Sequence, residues 1–270
     1  DDGDSIAAGG ANGQLPNANA RKLYTYTGDV SPADVNLSAA TNALKNTGSS
    51  DLTAAMLGLT GDTADAGFDT AITATRSSNM GDPLHSKSAL ITYGGTESSP
   101  DITLFVATNG GFLHAINAST INATRDSGTE LFAFMPKELL PNLPKLANNT
   151  GSHPYGLDGD VTVWINDDNF DGDLYDINDH AYVYVGMRRG GNNYYALDVI
   201  NRSAPTLKWM IKGGDEGTPF SELGQSWSRA AVTTIKYATD TGTGTRKVLI
   251  FGGGYDTDQD DHPTGTNTDG

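Results

Sequence analysis

The chain has 270 residues, which admits one large all-β domain or two smaller ones, and its 33 glycines with 37% hydrophobic content favour many short strands over long helices. Seventeen basic residues against 33 acidic ones give a net charge of −16. That balance argues against nucleic acid as a partner and suits extracellular life with divalent cations; the absence of cysteine excludes disulfides, zinc thiolates and cysteine nucleophiles.

Residues 1–20 are rich in Gly, Ala and Asn and read as loose chain. Arg21–Thr27 alternates through Leu23, Tyr24 and Tyr26 and predicts a short strand. Residues 36–59 carry Ala and Leu at helical spacings broken by Gly48, with Ser49 or Ser50 placed to cap a short helix ending near Gly58. Residues 60–80 are rich in Asp, Thr and Ala and read as a loop. Residues 1–80 are thus expected to form an N-terminal extension with a strand and one or two short helices. No run of residues approaches the ~20 apolar positions of a membrane helix, and Asp1 opens no signal peptide. The last strand, Val248–Phe251, leads into Gly252–Gly254 and an acidic tail with no partner strand after it, so the chain is expected to be the interior of a longer precursor.

From Gly81 onward the texture is that of strands, with a weak internal repeat. One copy runs Leu104–Ala107, Gly110-Gly111, Leu113–Asn117, and a second runs Val183–Gly186, Gly190-Gly191, Tyr194–Asp198. Each is followed by a strand with an aromatic residue, Glu130–Phe134 and Leu207–Met210, and a third copy starts at Val248. Each has an upstream partner: Ser88–Thr92, Val161–Ile165 and Ala230–Ile235. Four short strands per unit with Gly-rich hairpins is the plan of a propeller blade. The expected fold class is therefore all-β: an incomplete β-propeller over residues 81–270, about three blades and the start of a fourth, with long insertions at 136–157 and 166–180. A β-sandwich with coincidental hairpins is the alternative.

The strongest chemical signal is the segment Asp167–Asp176. Asp167, Asn169 and Asp171 occupy positions 1, 3 and 5 of a D-x-N-x-D-G pattern, Gly172 supplies the sharp turn, and Asp173 stands where a backbone carbonyl is donated. Alternate residues of a tightly coiled loop aim their oxygens at one centre, and carboxylates crowded there repel unless a cation sits among them. Ca²⁺, which takes six to eight hard oxygens, is the expected ion; Mg²⁺ is the weaker candidate because it demands a stricter octahedron. Leu174 is expected to pin the loop to the fold. The pattern departs from an EF-hand after Asp173: Tyr175 stands at position 9 and Asn178 at position 12, which leaves Asp176 or Asp179 to close the ligand set. A second acidic run, Asp256, Asp258, Asp260 and Asp261, has the alternating start without the glycine, and calcium there is balanced against a bare acidic loop.

Other chemistry is thin. The five histidines are scattered without ligand spacing; His85 is read as serving the Gly81–Lys87 turn and His114 a strand. Arg188-Arg189 either binds an anionic partner or pins a neighbouring blade, with pinning preferred. Glycines 252–254 fit a tight hairpin better than a phosphate cradle, and no G-x-S-x-G nucleophile motif is present.

Several segments together resemble the propeller domain of the PilC/PilY family of type IV pilus tip-associated adhesins. They are Gly81–Lys87, Gly110–Ile116 with Glu130–Phe134, Tyr155–Gly159, Gly186–Gly191 through Tyr195–Asp198, and Phe251–Asp256. The resemblance implies a modified seven-bladed propeller at the C-terminal end of a large exported protein, located extracellularly at the cell surface, pilus tip or outer membrane. It implies pilins and host or abiotic surfaces as partners, with roles in pilus assembly, in opposing retraction and in attachment. It also implies a calcium loop, similar to this chain at Asp167, Asn169, Asp171 and the position of Asp173; the family's last carboxylate falls where this chain has Tyr175, one step before Asp176. The expected function is a non-enzymatic, calcium-binding pilus and adhesion module. Two alternatives are a quinoprotein-like dehydrogenase on the same scaffold, which the three tryptophans and missing vicinal cysteines disfavour, and a purely structural calcium.

Overall fold

The structure is a computed structural model, and it describes residues 10–29, 31, 33–60, 66–119, 127–149, 151–239 and 242–257. In chain order the elements are α1 (Gly10–Gly13), β1 (Leu23–Tyr24), β2 (Val35–Asn36), α2 (Ala66–Ser77), β3 (Ala89–Thr96), β4 (Ser99–Ala107), β5 (Leu113–Asn117) and β6 (Glu130–Phe134). There follow α3 (Leu143–Asn148), β7 (Val161–Asn166), β8 (His180–Gly186), β9 (Tyr194–Asp198), β10 (Thr206–Ile211), β11 (Ala231–Thr239) and β12 (Gly242–Ile250).

The chain is mostly β-sheet with few helices, and each strand of the repeat falls where the alternation of its residues puts it. β3 to β6 form one antiparallel meander and β7 to β10 a second. β11 and β12 pair as a hairpin, the opening of a third unit. In β8 the period of two is plain: Ala181, Val183 and Val185 are buried against the first sheet's side, while Tyr182 and Tyr184 point the other way. The inner strands β5 and β9 are buried nearly throughout, as strands covered on both faces must be.

Two strands from the first 80 residues complete these sheets. β1 pairs in parallel with β6, Leu23 opposite Ala133, and β2 pairs antiparallel with β10, Val35 opposite Leu207. Each meander therefore becomes a five-stranded sheet with its fifth strand supplied from far upstream. The two sheets share one apolar core that includes Leu23, Phe105, Phe132, Phe134, Val183, Tyr195 and Leu197, with the Phe134 and Tyr195 rings edge to face at 5.6 Å. On the opposite face of the second sheet, Trp164, Tyr182, Tyr184 and Trp209 line a cleft closed by Val232, Val248 and Leu249 of the hairpin. The three units thus stack face upon face in sequence order.

The helical reading of the N-terminal region needs correction. No helix spans 36–59; the segment holds only 3-10 turns at Ala40–Asn42 and Ala55–Leu57, the second ended by Gly58 in the left-handed region. Ser50 does not cap a helix but donates its hydroxyl to the Ala43 carbonyl. The helix lies instead in the stretch read as a loop: α2 buries Phe68, Ala71, Ile72 and Thr75, one stripe at helical spacing. Its polar face of Thr and Asp masked that stripe in the sequence.

Candidate functional site

The acidic loop connects β7 to β8 within the second sheet but seats on the first. Its entry and exit are fixed by Asp179, which is buried and accepts the backbone N–H of Asp168 at 2.9 Å and of Asp176 at 2.8 Å. Asp179 therefore holds the loop's neck. Of the two residues left open to close the ligand set, Asp176 is the one whose carboxylate faces the loop's interior.

Inside the loop the turn is built by side chains bonding the backbone. Asp167 accepts the N–H of Asp171 at 3.3 Å and of Gly172 at 2.9 Å, Asn169 Oδ1 accepts that of Asp171 at 3.2 Å, and Asp171 that of Asp173 at 3.1 Å. These are Asx-type turns, which short Asp and Asn side chains form readily. Gly172 sits at φ 91° with open space around it, and Phe170 is also left-handed at φ 60°. The Asn169 amide nitrogen lies 3.0 Å from Asp171 Oδ2 and 2.6 Å from Asp176 Oδ2. Asn169, Asp171 and Asp176 thus converge, with Asp167 curled under the same turn; Asp173 instead turns its carboxylate to the Tyr175 N–H at 3.1 Å. Among the described residues, no three His, Cys, Asp or Glu side chains are grouped as they would be around a metal ion. The donor set is nonetheless all oxygen apart from one amide, which suits a hard cation. Asp258, Asp260 and Asp261 of the second acidic run lie outside the described residues.

The loop's seat on the first sheet comes from a β-bulge. In the β3–β4 ladder Thr92 faces Ile102 and Gly94 faces Asp101, so Tyr93 is an extra residue without a partner in register. The Tyr93 carbonyl accepts the Leu174 N–H at 2.9 Å, and the Leu174 side chain is buried, so Leu174 pins the loop. Beside it, Asp101 is gripped by Arg202 through two bonds of 2.7 and 2.6 Å and receives the Tyr175 hydroxyl at 2.9 Å. The Arg202 guanidinium lies 3.9 Å from the centre of the Tyr93 ring. Hydrogen bonding from Arg202 is the chief cause of an Asp101 carboxyl held well below the usual carboxylate range; its partial burial acts against this. Sequence reasoning missed this junction. Its one legible signal was Tyr93-Gly94-Gly95, glycines inside a strand pattern that point to a bulge.

Other singled-out residues have structural partners. His85 Nδ1 lies 2.8 Å from the buried carboxylate of Asp158, tying the Gly81–Lys87 turn to the next unit. His114 is fully buried, its Nδ1 2.8 Å from Glu130. Arg188 and Arg189 stack over Trp227 at 4.6 and 5.3 Å, and Arg189 donates to the Tyr155 hydroxyl at 2.8 Å. That is the pinning role: the pair ties the β8–β9 turn to segments on either side. The Gly253 carbonyl accepts the Gly224 N–H and Tyr255 bridges Gln225, so glycines 252–254 lead into a pairing with the segment before β11 rather than into a tight hairpin.

No protein-family model matches the chain. It is 32% identical over 152 residues to a type IV pilus biogenesis factor PilY1 homolog of Xylella fastidiosa, a match covering 56% of this chain and 10% of that protein. It is 27% identical over 171 residues to the type IV pilus biogenesis factor PilY1 of Pseudomonas aeruginosa, covering 61% of this chain and 13% of that protein. The matched region thus spans about a tenth of the length of these curated relatives. The crystal structure of the Pseudomonas aeruginosa PilY1 C-terminal domain aligns with 57% of this chain and 25% of its own at a TM-score of 0.36 and 24% identity, too low to bear on the fold. The sequence matches bear out the resemblance seen in the motifs: over somewhat more than half of its length the chain is similar to PilY1 proteins.

Proposed function

We propose that this chain is a non-enzymatic, calcium-binding module of a type IV pilus biogenesis factor and tip adhesin, working outside the cell with pilins and surfaces as partners. The relatives' names supply the pilus context. The successive four-stranded meanders, stacked face upon face, support reading the scaffold as part of a β-propeller.

The observation that carries the calcium reading is the convergence of Asp171 and Asp176 on Asn169, within a loop whose neck and seat are fixed independently by Asp179 and Leu174. A bound dication would neutralise the clustered carboxylates and let the loop close. Asp167, Asn169, Asp171 and Asp176 would hold it through side-chain oxygens, and Asp173 through its backbone carbonyl. Asn169 meets this need by a half-turn of its amide, which exchanges nitrogen for oxygen at almost no cost in shape. Pilus extension and retraction would then respond to calcium through the order of this loop.

Isothermal titration tests the assignment. Asp171→Ala is expected to abolish calcium binding at this loop while the far-ultraviolet circular dichroism stays unchanged. Undiminished affinity in that variant refutes the site.

A further inference from the structure

We propose that Tyr175 is a positioning residue that latches the acidic loop to the first sheet and thereby sets how tightly the loop takes calcium; this rests on the calcium reading above. Tyr175 occupies a position from which a side chain could turn into the loop. It turns away: its hydroxyl donates to Asp101 Oδ2 at 2.9 Å. The receiving carboxylate is held by partners other than the tyrosine. Arg202 grips both its oxygens, and the Ser119 hydroxyl donates to Oδ1 at 3.1 Å. Arg202 is in turn held against the Tyr93 ring and bonded to Thr103 at 3.2 Å, and the Tyr93 hydroxyl donates to the Val199 carbonyl at 2.8 Å. Tyr175 thus docks on a junction in which β3, β4 and the turn after β9 are already joined.

The backbone is shaped for this docking. Gly94 sits at φ 141°, and a Cβ there would stand 2.9 Å from Tyr175 Cε2 and 2.8 Å from Asp173 Cβ. Only a glycine lets the loop lie this close. Tyr175 stands between Asp173 and Asp176, so its ring direction governs the backbone that presents both. The closing carboxylate consequently comes from Asp176, and binding at the loop is coupled to the Asp101–Arg202 junction between the two sheets.

The test uses the whole chain with Tyr175→Phe, which keeps the ring and removes the hydroxyl. One hydrogen bond to a charged acceptor at a solvent-exposed site predicts calcium affinity lowered about three- to tenfold by titration calorimetry. Without calcium, amide hydrogen exchange across residues 167–176 is expected to quicken. Gly94→Ala should shift both readouts in the same direction, and Asp101→Asn combined with Tyr175→Phe should cost less than the two single changes added. If the wild type and Tyr175→Phe bind calcium equally and exchange equally, the latch is overturned while the calcium reading stands. If neither binds calcium but Asp171→Ala matches them in every respect, the calcium reading fails and takes the latch's effect on affinity with it.

Discussion

Glu130 is where three stretches of chain meet. Arg21 donates to its two oxygens at 2.8 and 2.9 Å, His114 lies 2.8 Å away, and Arg21 also reaches the carbonyls of Arg76 and Ser78 at the end of α2. Burial, the largest single influence, pushes the Glu130 carboxyl up, but the bonds from Arg21 and His114 outweigh it and hold the group at about 2, below its ordinary 4.5. A depressed carboxyl contributes stability that is fully present above the unfolded value and is lost as pH falls toward the folded one. The depression corresponds to roughly 3 kcal/mol. Unfolding free energy is therefore expected to fall between about pH 4.5 and 2, and in Glu130→Gln that part of the pH slope should vanish while stability at pH 7 drops by about 3 kcal/mol. Denaturant titrations at several pH values check both. At this scale the sequence was partly legible. The loop's Asp and Asn residues announced their own turn, because Asx turns are local, whereas the Arg21–Glu130 pair joins residues with nothing between them in sequence to link them.

Among the elements, α2 and the β3 bulge carry the most information. α2 is held by the burial of Phe68 at 1% exposure and by Arg76, whose guanidinium donates to the carbonyls of Ala18, Arg21 and Leu44. Phe68→Ala opens a cavity at the junction of the N-terminal segment with the first sheet, and a loss of about 3–5 kcal/mol is expected in chemical denaturation. A loss below about 1 kcal/mol would show that α2 is dispensable to the core. The strands of both meanders were readable because period-two alternation and Gly-Gly turns survive in a single sequence. The helix was not, because Ala and Thr carry little hydrophobic contrast and its stripe is defined by only two large side chains. The bulge was not read either: Gly94-Gly95 marks a break in the strand, but which residue is left without a partner depends on the register against β4.

For the whole molecule, the net charge of −16 and the acidic loop act together. Self-repulsion among carboxylates weakens the folded state, and a dication that binds only the folded loop stabilises it by mass action. If the loop takes calcium as proposed, free calcium about a hundredfold above the dissociation constant would add about 2.7 kcal/mol, a rise in melting temperature of roughly 5–10 °C. Magnesium at the same concentration is expected to give a smaller rise. Scanning calorimetry with each ion decides this, and an identical response to both would argue for general screening over a calcium site. The stacking of units transmits such a gain, because the loop belongs to the second sheet by sequence and to the first by contact.

The sequence by itself determined what is local: the strand periodicity, the glycine turns, the acidic loop's curl, and the family resemblance carried by short motifs. Only the tertiary structure decided that residues from the first 80 supply an edge strand to each sheet, that Asp179 holds the loop's neck while Asp176 faces its interior, and that Tyr175 turns outward to Asp101. The reason is distance along the chain. Alternation and turn chemistry act between neighbours, whereas edge pairing, the choice of carboxylate and the latch depend on surfaces that meet only after the sheets have packed.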